Sequence, residues 1–167
     1  LAAKFNLFVV EDAAQAVDSF FKGRPLGGLG HLGCFSFHET KNVIAGEGGM
    51  LLINDQRFNQ TTEILWEKGT NRSAFIRGEV DKYGWVDVGS SYLPSEVTAA
   101  LLYGQLEHIE IIQTKRLTAW NYYQQSLSPM TSEFGFYTPV IPPECKHNGH
   151  IFYLICEDHG QRDYLIQ

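Results

Sequence analysis

Among the 167 residues, Lys41 is the side chain best placed by its neighbours to do covalent chemistry. It stands in the run Gly33-Cys34-Phe35-Ser36-Phe37-His38-Glu39-Thr40-Lys41-Asn42, just after a strand-like alternation and just before the glycine-dense Gly46-Glu47-Gly48-Gly49. A lysine at a strand end between tight turns is poised for partial desolvation, although composition alone favours an ordinary surface lysine in a turn. Desolvation favours the neutral amine, the form that attacks a carbonyl carbon to make a Schiff base. Asp12 is the second reactive group. It follows the apolar run Asn6 to Val10, with Gln15 about one helical turn further on. An aspartate at the carboxyl end of a strand can hold a proton on a pyridine ring nitrogen, which an electron-sink cofactor requires. If the two strands are neighbours, Asp12 and Lys41 can lie over one ring.

Two other constellations compete. Gly28-Leu29-Gly30-His31-Leu32-Gly33 fits the dinucleotide fingerprint by letter. That fingerprint works only between a preceding strand and a following helix, whose N-terminus receives the pyrophosphate. Here a Lys22-Gly23-Arg24-Pro25 turn precedes it and a strand-like segment follows, so these glycines are expected to serve tight turns. Cys145, His147, His150, Cys156 and His159 offer soft ligands, but their spacing matches no usual zinc pattern.

The elements that carry these residues read as α/β. A strand is expected at Asn6–Val10, helix-favouring alanines at Ala13, Ala14 and Ala16, and strands at Cys34–Phe37 and Met50–Ile53. Phe58–Lys68 has helical spacing. Gly69–Gly89 is a polar loop with scattered aromatics, and a loop of that length is usually functional. Pro94 to about Leu127 reads as a long helical region broken at Ser128-Pro129; Ile151–Cys156 reads as a strand and Gln161–Ile166 as the start of a helix. The net charge of −6 removes the basic surface that general nucleic-acid binding needs. Apolar runs are only a few residues long, so no membrane span is expected. Three cysteines without a CxxC spacing fit a reducing compartment, and a cytoplasmic location is expected.

The blocks Glu11-Asp12-Ala13-Ala14-Gln15, Lys22-Gly23-Arg24-Pro25, Gly33 to Asn42 and Gly46-Glu47-Gly48-Gly49-Met50 together resemble the DegT/DnrJ/StrS family, in the family's order and densely over residues 7 to 55. A looser likeness continues through Ala99-Ala100 and Gln105-Leu106 to His150. These are pyridoxal-phosphate (PLP)-dependent sugar aminotransferases. The resemblance implies part of the large domain of a fold type I, aspartate-aminotransferase-like transferase over residues 1–127, then the start of a small α+β domain over 128–167. It implies that Lys41 is the Schiff-base lysine, Asp12 the pyridine-nitrogen partner, Gln15 the neighbour of the ring's phenolic oxygen and Ser36 a phosphate ligand. Many members reach the partner subunit's phosphate with an asparagine in a G-x-N-Y-R pattern; the matching stretch here is Gly89-Ser90-Ser91-Tyr92-Leu93, so Ser91 would take that place with a shorter side chain.

In the loop, Arg72, Arg77, Lys82 and Tyr83 would meet a nucleotide sugar, because cations suit a diphosphate and aromatics suit a base. His150 would touch substrate or support those that do. Phe37-His38-Glu39-Thr40-Lys41, Gly69-Thr70-Asn71-Arg72 and Asp81-Lys82-Tyr83 are similar to the branch that aminates dTDP-linked 4-keto-6-deoxy sugars for enterobacterial common antigen, a cell-surface polysaccharide. L-glutamate is the implied donor, a nucleotide-linked keto sugar the acceptor and a homodimer the assembly. Lys41 also separates the chain from members that dehydrate sugars, which carry histidine there. Two alternatives stay open: another nucleotide sugar as substrate, and a fragment that binds no cofactor by itself.

Overall fold

The computed structural model describes all residues from Leu1 to Gln167. A short helix, α1 (Ala2–Phe5), is closed by Asn6 in the left-handed conformation. The first strand, β1, is Val10–Asp12, so the expected strand over Asn6–Val10 lies later in the chain. The left-handed Asn6 turns the backbone out of extended geometry before the β-forming run can pair. Residues 13–18 form turns, not a helix. Asp12 Oδ1 accepts from the Ala14 N–H at 3.2 Å, an Asx-type bond that competes with a helical start.

Strands β2 (Phe20–Phe21), β3 (Arg24–Pro25), β4 (Leu32–Ser36) and β5 (Gly49–Ile53) follow. β4 is the centre of one sheet: β1 pairs with it in parallel, Asp12 opposite Cys34, and β5 pairs antiparallel, Ser36 opposite Gly49. Next come α2 (Asn59–Trp66) and α3 (Arg72–Ile76), the latter inside the expected loop. The long helical region is two helices, α4 (Glu96–Glu107) and α5 (Ile109–Leu127), interrupted at His108. Ser95 caps α4 by accepting from the Thr98 N–H. α6 (Thr131–Phe134), β6 (Cys145–Lys146) and α7 (His159–Ile166) complete the chain. The expected strand at Ile151–Cys156 is extended chain carrying a single bridge, Tyr137 to Ile155.

β2 pairs with both β3 and β6, so residues 20–25 and 145–146 form a second small sheet across the expected boundary at residue 128. Trp120 on α5 strengthens that tie, donating from Nε1 to the Ile151 carbonyl at 3.0 Å. The core is small. Phe37, Val43 and Ala45 are buried together, with Val17, Phe35, Leu102 and Ile109 packed against them. It lies directly beneath the loop that carries Lys41.

Candidate active site

β4 ends at Ser36, and the chain then makes a compact excursion before returning as β5. Phe37 closes its base on both sides: its N–H donates to the Gly48 carbonyl at 2.9 Å, and its carbonyl accepts from the Ala45 N–H at 2.8 Å. Lys41 is in the outer part of this loop, half-buried, between the exposed Thr40 and the buried Asn42. Asn42 and Val43 are both buried, and Val43 is the most completely enclosed large side chain. The Lys41 backbone is held at both ends. Its N–H donates to the His38 carbonyl at 2.9 Å, and its carbonyl accepts from Arg116 Nη2 at 3.0 Å. The ammonium takes part in no salt bridge.

Asp12 ends β1, the parallel neighbour of β4. Paired residues of a parallel ladder share a sheet face, and side chains two apart on a strand do too. Asp12, its partner Cys34 and Ser36 therefore point to one face, at the carboxyl ends of adjacent parallel strands, where open α/β sheets bind ligands. Asp12 is exposed, and one of its two oxygens has no protein partner. Ser36 Oγ accepts from the His38 N–H at 3.3 Å, which leaves its hydroxyl hydrogen free to donate. An acid, a hydroxyl donor and an amine at one strand-end edge suit a cofactor with a basic ring nitrogen, a phosphate and an aldehyde. Gln15 lies beyond Asp12 with its side chain exposed and its carbonyl accepting from Asn148.

A buried amide network locks this edge together. Asn42 Nδ2 donates to Gln113 Oε1 at 3.0 Å and to the Asn148 carbonyl at 2.8 Å, while Asn42 Oδ1 meets His150 Nδ1 at 2.7 Å. Asn148 Nδ2 donates to the carbonyls of Gln15 and Val17, both at 2.8 Å. The Lys41 loop, the turn after Asp12, α5 and the segment around residue 148 are thus joined by paired polar groups inside the protein, where an unpaired one would be costly. Asn42, Gln113, Arg116 and Asn148 were not expected from the sequence. One signal was present: Gln113 is a polar residue four positions from both Ile109 and Leu117, inside an apolar stripe. His150 does join the site, through Asn42. Burial, then the charges of Lys41 and Arg116, hold its imidazole below the ordinary histidine range.

The other expected residues lie on a different part of the chain. Ser91 is exposed and bridges backbone to backbone with Glu67. Arg72 Nη1 donates to the buried Glu67 carboxylate at 3.0 Å. Arg77 is forked between Glu63 and Glu79, with four N–H···O contacts of 2.8 to 3.1 Å, and this raises its pKa. Lys82 contributes its carbonyl to Asn71 Nδ2, and its ammonium makes no ion pair. The Tyr83 ring leans on Phe75 at 6.3 Å and stays half exposed.

The glycine motif is satisfied from within. The N–H groups of Gly27, Leu29 and Gly30 all donate to the Glu11 carboxylate, and Asn54 Nδ2 donates to the carbonyls of Gly27 and Gly30. A side-chain carboxylate fills the place a phosphate would take, and β4 follows instead of a helix. The cysteine and histidine cluster is dispersed as well: His147 stacks on Trp120 at 4.2 Å, Cys145 belongs to β6, and no three His, Cys, Asp or Glu residues gather to hold a metal ion.

Known proteins share sequence and fold with this chain. Spore coat polysaccharide biosynthesis protein SpsC from Bacillus subtilis is 31% identical over 157 residues, 92% of this chain and 40% of SpsC. The X-ray structure of an aminotransferase from Psychrobacter cryohalolentis superposes with a TM-score of 0.81 at 27% identity, over 92% of this chain and 41% of that one. A sugar aminotransferase from Streptococcus pneumoniae, Spr1654, solved in PLP and PMP forms, shares the fold; its PLP form has a TM-score of 0.74 at 21% identity, covering 93% of this chain and 39% of its own. The chain spans about 40% of the length of the curated relatives it matches. The signature of one family covers residues 1–167, and with the fold-type-I architecture of its structural neighbours it establishes that the chain belongs to the DegT/DnrJ/EryC1/StrS aminotransferase family.

Proposed function

We propose that this chain is the cofactor-bearing part of a PLP-dependent aminotransferase acting on a nucleotide-linked keto sugar. The observation that carries the reading is the convergence of Asp12, Ser36 and the clamped Lys41 loop at the carboxyl ends of two adjacent parallel strands. Bound there, PLP supplies an electron sink that lets an amino group pass from L-glutamate to the 4-keto group of a dTDP-linked 6-deoxy sugar. Lys41 Nζ attaches the cofactor and moves a proton at the reacting carbon. The Asp12 carboxylate keeps the ring nitrogen protonated, Gln15 lies beside the ring oxygen, and Ser36 donates its hydroxyl to the phosphate. Ser91, exposed beside the end of α2, is assigned to the phosphate of the partner subunit in a homodimer.

Lys82 and Tyr83, whose tips are unengaged, are assigned to the sugar nucleotide. Arg72 and Arg77 shape their loop through Glu67, Glu63 and Glu79. SpsC, which serves spore coat polysaccharide synthesis, supports a role in cell-surface polysaccharide. The division at residue 128 into a large-domain part and the start of a small domain belongs to the same reading. With so much of the relatives' length outside this chain, the cradle for phosphate and substrate is shared with other residues, and the chain alone binds PLP weakly.

The full-length protein mixed with PLP should show the absorbance band of covalently held cofactor, and Lys41→Ala should abolish it; an unchanged band in the variant would refute the assignment. Conversion of glutamate to 2-oxoglutarate should depend on added keto sugar, and a panel of dTDP, UDP and GDP sugars identifies the nucleotide.

A further inference from the structure

Which nitrogen of His150 carries the proton follows from the network around Asn42. The Asn148 carbonyl can only accept, so the Asn42 atom 2.8 Å from it must be the amide nitrogen. Gln113 Oε1 takes the second Asn42 hydrogen at 3.0 Å. Asn42 Oδ1 is therefore the atom 2.7 Å from His150 Nδ1, and a hydrogen bond there requires the hydrogen on Nδ1. Asn148 is unambiguous too, since all its side-chain partners are backbone: it donates to Gln15 and Val17 and accepts from the His150 N–H at 3.0 Å. His150 Nε2 then carries a lone pair. It has no protein partner, and it is not sealed in, because Gln124 Oε1 is the one fully buried side-chain polar atom without a partner.

Resting on the proposed aminotransferase reading, we infer that His150 is a specificity-determining residue: Asn42 locks it as the Nδ1–H tautomer, and its Nε2 accepts a hydrogen bond from a hydroxyl of the sugar bound beside Lys41. The charges nearby select that donor. Burial, then the charges of Lys41 and Arg116, disfavour a third cation at His150, and those two charges repel an incoming ammonium in the same way. A neutral lone pair attracts neither a phosphate nor a carboxylate. A hydroxyl is the donor left, and a sugar carries several.

The first test is 15N NMR of the cofactor-free full-length protein labelled at histidine, with the His150 pair assigned by its loss in His150→Asn. The expected spectrum has a protonated Nδ1 and an unprotonated Nε2; a protonated Nε2 refutes the inference whatever becomes of the cofactor assignment. Addition of dTDP-glucose should move the Nε2 resonance toward the hydrogen-bonded position, and an unmoved resonance at saturation refutes the acceptor role. His150→Asn keeps a donor near the Nδ1 position but removes the acceptor. It should lower kcat/KM for the keto sugar about tenfold, the worth of one hydrogen bond, and lower the glutamate half-reaction by clearly less. Equal losses in both half-reactions, or none in either, count against it. Failure of PLP to bind Lys41 overturns the enzyme reading and leaves the tautomer result standing.

Discussion

At Glu11, one carboxylate gathers three backbone N–H groups, with the Gly27 bond at 2.8 Å. Burial raises its pKa, but the bonds from Gly30, Gly27 and Leu29 and the charge of Arg24 outweigh that, and the carboxyl is held below its usual 4.5. Glu11→Ala should cost about 1–3 kcal/mol, because three donors lose their partner and Asn54 alone cannot hold the loop; chemical denaturation measures it. His147 and His150 act in the same sense at higher pH. Burial lowers both from 6.5, with Lys41 and Arg116 adding to the shift at His150. The unfolded chain then binds protons that the folded chain refuses. Stability is complete above about pH 6.5 and declines as pH falls through the lowered folded values, then declines again below about 4.5 as Glu11 protonates. A melting series from pH 8 to pH 4 should show that order, and a Tm unchanged between pH 7 and pH 5 would contradict it.

β4 is where element geometry and glycine meet. A Cβ on Gly33 would overlap the backbone of Gly27, which packs directly against the strand. Gly33→Ala should therefore cost about 3 kcal/mol through forced displacement of the Glu11 loop, read from the shift in the denaturation midpoint. Helix identity was legible from periodicity at α2, α4 and α5, where apolar residues recur every three or four positions. The break at His108 was not, because apolar residues flank it on both sides and only the tertiary turn separates the helices. The strands that failed to appear, Asn6–Val9 and Ile151–Cys156, have β-forming composition but lack a ladder partner, and β-propensity reports a fit to neighbours more than a local preference. That Asp12 and the Lys41 loop follow the ends of neighbouring strands was legible because motif spacing and strand order agree. Asn42, Gln113 and Asn148 are ordinary amides in sequence, and only folding brings residues 42, 113 and 148 to one point.

The whole molecule exposes 11980 Å², well above the about 8,300 Å² expected of a compact monomer of its mass, and only 16 of its 167 residues are buried. Much of the exposed surface is apolar and is spread along the chain, including Leu7, Phe8 and Val10 before and in β1, and Trp85, Val86, Val88, Tyr92 and Val97 along the approach to α4. Patches of this kind mark surfaces built to be covered. The 167-residue chain in isolation should associate reversibly and bind a hydrophobic dye, with sedimentation shifting to larger species between micromolar and tens of micromolar concentrations. A dye-silent monomer across that range would show that the chain covers these faces itself.

The amino-acid sequence by itself determined the chemistry on offer, since the spacing of an aspartate, a serine and a lysine around glycine-dense turns is a property of the chain. It also determined the α/β class, because hydrophobic periodicity is local. Tertiary structure alone decided which polar groups are paired. It spent the glycine loop's donors on Glu11 and the guanidinium of Arg77 on two glutamates, and it gave His150 to Asn42 across 108 positions of sequence. Hydrogen bonds are short-ranged and directional, so their partners are set by distance in space, which no local pattern encodes.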